Sequence, residues 1–179
     1  KVANIQLQYF PSFVINHGLE DPDRHGYQLH ASPNHPKSRG EITLNSSDPY
    51  DYPKILFNYL KEEEDLKQTR ECIHVARKIL SQPALAEHAG DEVGPGFDAQ
   101  SDDELNEYIR SKADTAYHPC GTCKMGVDDM AVVDQDLKVN GIGNLRVIDA
   151  SVIPEIPSAN LNAPTLMIAE KGSEAILNN

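Results

Sequence analysis

The residues best suited to chemistry gather in three short stretches: Tyr117-His118-Pro119-Cys120-Gly121-Thr122-Cys123-Lys124-Met125-Gly126, then Asn144-Leu145-Arg146-Val147-Ile148-Asp149-Ala150-Ser151, then Asn160-Leu161-Asn162-Ala163-Pro164-Thr165. Histidine is the side chain that exchanges a proton near neutral pH, so His118 is a candidate acid or base. Pro119 restricts the preceding backbone to extended geometry and so narrows where the imidazole can point. A histidine beside a turn reads equally as a hydrogen-bonded structural residue, and the six other histidines are taken that way. Asp149 closes a short apolar strand predicted over residues 145–148. Asn162 reads as the N-cap of a helix running to about Leu177, with Pro164 tolerated in its first turn. Such a helix start carries about half a positive charge in its unpaired amides and favours an anionic group placed against it.

Cys120 and Cys123 raise two further chemistries. A thioredoxin-type C-x-x-C opens a helix after a strand, whereas Lys124-Met125-Gly126 continues into loop. Pro119-Cys120-Gly121-Thr122-Cys123 is also half of the zinc nucleobase-deaminase signature, whose other half is H-x-E. None of the seven histidines is followed two residues later by glutamate, so that reading lacks its partner. A structural zinc on His118, Cys120, Cys123 and a distant ligand is weighed against two packing thiols, and the expectation is packing and no metal.

The elements that must position these residues follow from pattern. Ile5, Leu7 and Tyr9 alternate with polar residues, as do Ile42 and Leu44, and both segments read as half-buried strands; Tyr27 to Ala31 is a third. The first residues, Lys1 to Phe10, read as starting inside a strand. Gly18 to Gly26, rich in charge, glycine and proline, is a connecting loop. From Glu62 the apolar positions Leu66, Ile73, Ala76 and Leu80 recur at helical spacing until Pro83 ends the helix. Ser101 with Glu104 forms a capping box that starts a second helix burying Leu105, Tyr108 and Ile109. Gly90 to Gln100 links the two helices.

With these blocks in order, the chain resembles the C-terminal half of the glucose-methanol-choline (GMC) family of FAD-dependent alcohol oxidoreductases, most closely its choline dehydrogenase branch. The run from His30 to Gly40, and Ser47-Asp48-Pro49 through Ile55 to Tyr59, extend the resemblance over nearly the whole chain. Family members begin with a G-x-G-x-x-G that seats the FAD pyrophosphate, and nothing here supplies it. Gly141-Ile142-Gly143-Asn144 precedes a strand instead of following one, and reads as a turn.

The resemblance implies an α+β fold. Residues 1–115 would be part of the substrate-binding domain, a mixed or antiparallel sheet covered by helices. Residues 116–179 would be the active-site loop and a strand-helix return into the FAD domain. It implies oxidation of a choline-like primary alcohol to the aldehyde by hydride transfer to flavin N5. His118 falls on the position of the family's active-site histidine. Asn160 falls on that of the second catalytic residue, a histidine or asparagine, with Asn162 competing for the role. Asp149, Ala150 and Ser151, with Asn162, Ala163, Pro164 and Thr165, would line the FAD. The N-terminal FAD-binding half of the same enzyme is the implied partner, and the fragment alone is expected to be inactive. The other reading is a non-catalytic binding or scaffold module of the same fold that lacks the pyrophosphate site.

Composition bounds the rest. A chain of 179 residues can bury a core as one domain, or one and part of another. A net charge of −12 argues against nucleic acid, whose phosphates demand clustered lysine and arginine. No apolar run approaches the ~20 residues that cross a bilayer, and no signal peptide stands out. Three cysteines, an odd and sparse set, suit a reduced compartment. The expectation is a cytoplasmic protein, with membrane association open because a membrane electron acceptor is compatible with the branch.

Overall fold

The computed structural model describes residues 2–178, and within it the chain forms two compact units, residues 1–37 with 60–113 and residues 38–59 with 114–179. The elements are α+β, and the strands pair as two separate two-stranded antiparallel sheets.

In the first unit β1 (Ile5–Phe10) pairs with β2 (Gln28–Pro33), Leu7 opposite Ala31 and Tyr9 opposite Leu29. Aromatic contacts reinforce the ladder: Tyr9 and Tyr27 ring centres lie 5.8 Å apart, and Phe10 and His30 lie 4.4 Å apart. Residues 2–4 precede the strand, so the start expected inside a strand shifts to Ile5, and Lys1 lies outside the described residues. The α1 helix (Glu63–Leu80) packs on β2 and on α2 (Asp102–Lys112). Its acidic first turn, Glu63, Glu64 and Asp65, and basic last turn, Arg77 and Lys78, both complement the helix dipole. Leu66 and Cys72 are buried, and burial pushes the Cys72 thiol up to about 11. Asp65 is buried too, its carboxylate accepting from the Lys37 amide at 2.6 Å.

The capping box of α2 is present in full. Ser101 Oγ accepts from the Glu104 amide at 3.3 Å, and Glu104 Oε2 accepts from the Ser101 amide at 2.8 Å. Hydrogen bonding from the Ser101 hydroxyl, then from backbone amides, holds the Glu104 carboxyl below the usual carboxylate range. Leu105 and Ile109 are the buried face. Arg70 of α1 joins the helices, bonding Asn106 Oδ1 at 2.7 Å and Asp102 at 3.1 Å. The inter-helix linker is clamped by Arg77, which bonds both Glu92 carboxylate oxygens at 2.8–3.0 Å and the Gly96 carbonyl at 2.9 Å.

In the second unit β3 (Glu41–Thr43) and β4 (Lys54–Leu56) form a hairpin with Ile42 opposite Ile55. Gly40 has to be glycine, since a Cβ there would stand 2.1 Å from the Leu56 carbonyl oxygen. The core of this unit is Val133, Leu137, Val152, Ile153, Leu161 and Ile168, the last on α3 (Asn162–Leu177). The expected strand at residues 145–148 is reduced to a single bridge, Lys138 with Arg146, closed by Val139 N to Leu145 O at 2.9 Å and Val147 N to Leu137 O at 3.1 Å. The ladder cannot lengthen because Asn144 at one end and Leu137 on the partner segment both hold positive φ, 58° and 64°, which turns the chain out of register. Gly141, at φ 80°, makes the Gly141-Ile142-Gly143 segment the expected turn.

Candidate active site

Each candidate residue belongs to the second unit, and backbone bonds bring their segments onto one core. The loop that carries His118 is laid beside the Asp149–Ile153 segment, with Cys123 N donating to Ser151 O at 3.0 Å and Met125 N to Val152 O at 2.8 Å. Gly121 at φ 92° makes the turn between His118 and this pairing, and a Cβ there would sit 3.4 Å from the Ile153 carbonyl oxygen. Cys120 packs against the core, and burial raises its thiol pKa, opposed by the positive charge of Arg39. Cys123 is a half-buried free thiol. Among the described residues no group of three or more histidine, cysteine or acidic side chains could hold a metal.

His118 is half-buried, between an exposed Tyr117 at φ 60° and Pro119. No hydrogen bond from its imidazole to another described residue is present. The Asp149 carboxylate is engaged locally: Oδ1 accepts from the Ser151 amide at 2.7 Å and from its hydroxyl at 2.5 Å. That bond caps the 3-10 turn Ala150–Val152, which drops Val152 into the core and leaves Asp149 exposed.

Leu161, buried at the head of α3, fixes the position of its neighbours. Asn160 lies just before it, exposed, and has a partner of its own. Asn162 is not the N-cap that its type suggested. Leu161 already holds right-handed helical geometry, φ −77° and ψ −9°, because its side chain must turn into the core, and Asn162 becomes the first helical residue. No side chain caps this helix and its first turn carries no acid. The amides of Asn162 and Ala163 are therefore left for an external acceptor, and Pro164 has none to leave. Thr165 turns inward, its hydroxyl donating to Leu161 O at 2.7 Å.

Two supporting residues carried no assigned role at the level of sequence. Gly172 lets α3 approach so closely that a Cβ there would lie 2.5 Å from Ile148 Cγ2. Arg146 donates through Nε to Asp136 O at 3.3 Å, while its Nη2 is shielded from solvent without a hydrogen-bond partner. A cation inside the apolar run Leu145–Ile148 was the available signal for Arg146. For Gly172 there was only a glycine within a helical pattern.

The profile described as GMC oxidoreductase matches residues 36–169. The chain is 47% identical, over its whole length, to 32% of the oxygen-dependent choline dehydrogenase of Photobacterium profundum. It is 46% identical over 99% of its length to 32% of the enzyme of that name from Vibrio vulnificus. The chain thus spans about a third of the length of the curated relatives it matches. Among solved structures it is similar to pyridoxine 4-oxidase from Mesorbium loti, with a TM-score of 0.90 and 29% identity, covering 98% of this chain and 35% of that one. It is also similar to the formate oxidase of Aspergillus oryzae RIB40 studied for FAD modification, with a TM-score of 0.88 and 29% identity over 97% of this chain and 31% of that one.

Proposed function

The chain belongs to the GMC oxidoreductase family, and from that premise we propose that it is the C-terminal portion of an FAD-dependent dehydrogenase oxidising a choline-like primary alcohol to the aldehyde. Residues 1–115 serve in substrate binding, as part of a sheet covered by helices. Residues 116–179 supply the active-site loop and the segment that returns to the flavin domain. The observation that carries the reading is the uncommitted, half-buried imidazole of His118 on a loop bonded to the Ser151–Val152 backbone. The end-to-end similarity to choline dehydrogenases supports the choice of substrate.

The residues present fit FAD. The uncapped start of α3 leaves the Asn162 and Ala163 amides, which would help to hold a flavin, and the partial positive charge there would favour its reduced, more negative state. Ala163 and Pro164 keep that approach free of long side chains, and Asp149, Ala150 and Ser151 line the neighbouring backbone. A bound flavin would supply the two-electron acceptor, at N5, for the hydrogen that leaves the alcohol carbon with its electron pair. The protein's part is proton handling and placement. His118 takes the hydroxyl proton through a ring nitrogen, and Pro119 limits the backbone freedom that would misplace it. The Asn160 amide donates to the substrate oxygen as negative charge grows there. Thr165 acts by fixing the first turn of α3 through Leu161.

The experiment is anaerobic mixing of the natural polypeptide with choline while the oxidised flavin band near ~450 nm is followed. Loss of that band on mixing is the expected result. A band that persists with choline and with other small primary alcohols rejects the proposal.

A further inference from the structure

The β3–β4 hairpin carries a two-faced pattern whose apolar face meets solvent. Side chains alternate across a strand, so the Ile42 and Ile55 pair shares its face with Leu44 and Phe57, which continue the alternation beyond the strand ends. Glu41, Thr43 and Lys54 occupy the other face with one apolar residue, Leu56, opposite Glu41. The apolar four are 51%, 55%, 85% and 46% exposed in that order, and Tyr59 extends their surface by stacking on Phe57 at 5.0 Å. A two-stranded sheet is marginal in water by itself, and a contiguous apolar patch bordered by polar residues marks an interaction surface.

We propose that this face is an internal interface, covered by a part of the same polypeptide that lies outside these 179 residues, and not by a second copy or a separate protein. The inference rests on the reading of the chain as part of a longer flavoenzyme. Three observations select the occupant. The curated relatives carry roughly two thirds of their length beyond the region aligned with this chain, ample to cover one hairpin. The family match begins at residue 36 and includes the hairpin, which makes it part of the family's common domain and not an appendage for a special partner. A solved relative almost three times as long superposes on 98% of this chain, so the fold is one adopted with the additional chain present. The occupant presents an apolar strand or helix face to Ile42, Leu44, Ile55 and Phe57, and the free edges of β3 and β4 offer main-chain pairing as well.

Hydroxyl-radical footprinting of the natural full-length protein, read by mass spectrometry, tests this without any substitution that could prevent folding. Labelling of Ile42, Leu44, Ile55 and Phe57 is expected to fall about tenfold or more below that of the same residues in a digest, as enclosure of an apolar patch requires. The suppression should persist unchanged when the protein is diluted to a monomer. Labelling at the level of the digest overturns the proposal, and so does suppression that disappears on dilution, which identifies a second copy as the cover. Protection that appears only on adding a lysate also overturns it. Footprinting needs neither turnover nor bound flavin, so protection in a protein whose flavin alcohols cannot reduce would retain the interface and reject the catalytic reading alone.

Discussion

Replacing Gly172 with alanine sets two effects of known sign against each other. Alanine in a helix interior is favoured over glycine by about 1 kcal/mol. The new Cβ, however, would stand 2.5 Å from Ile148 Cγ2, 2.8 Å from Cδ1 and 3.1 Å from Cγ1. The nearest of these is the branch methyl, which moves only by turning χ1 of a stiff β-branched side chain whose other two atoms crowd the same spot, and overpacking of this kind costs roughly 1–3 kcal/mol. The net expectation is destabilisation of α3 by about 1 kcal/mol. Trimming Ile148 to valine leaves Cγ2 in place and should relieve little. Ile148→Ala removes all three atoms and costs about 2 kcal/mol by itself, near the low end for isoleucine because the site is half-buried. In that background Gly172→Ala loses its clash, keeps its helix preference and becomes stabilising by up to ~1 kcal/mol. Native-state hydrogen exchange of the α3 amides in the single and double variants measures the cycle. An alanine effect of the same sign and size in both backgrounds would refute the close approach of Ile148 and Gly172.

Two further perturbations probe the first unit. Arg77→Ala removes the paired bonds to Glu92 and the bond to Gly96, and should lower local stability around the linker by about 1–3 kcal/mol. Arg77→Lys should recover only a minor part, since an ammonium cannot reproduce the fork; full recovery in hydrogen exchange would count against the geometry. Ser101→Ala should return the Glu104 carboxyl toward its ordinary pKa in an NMR titration. Because the folded pKa is depressed, the box stabilises α2 above the unfolded carboxylate pKa and loses that contribution as pH falls through the folded value. An unchanged Glu104 titration in the variant would remove the hydroxyl as cause.

Much of the local structure was legible because single residue types signal it. Ser101 and Glu104 announced the start of α2, and the 3.6-residue recurrence of Leu66, Ile73, Ala76 and Leu80 announced α1. The misreadings came from long-range packing. Leu145 to Ile148 look like a strand in sequence, but pairing needs a straight partner, and Leu137 breaks that partner with a positive φ. Asn162 has the composition of a cap, yet the burial of Leu161 starts the helix one residue earlier. The grouping of residues 38–59 with 114–179 had no local signal at all. The candidate site residues were named from the family resemblance. The structure adds that their segments share one core in one unit, which spacing along the chain cannot reveal.

The central claim is that His118 is the base, and the direct measurement is stopped-flow anaerobic flavin reduction by choline in His118→Ala of the natural polypeptide. The variant should retain its flavin and its stability while reduction slows by roughly 10²- to 10⁴-fold, the usual worth of a positioned general base. Asn160→Ala should slow the same step by up to ~10²- to 10³-fold with the fold intact, as for a lost oxyanion donor. Reduction of His118→Ala at the parental rate, with stability unchanged, would make the histidine structural and contradict the account.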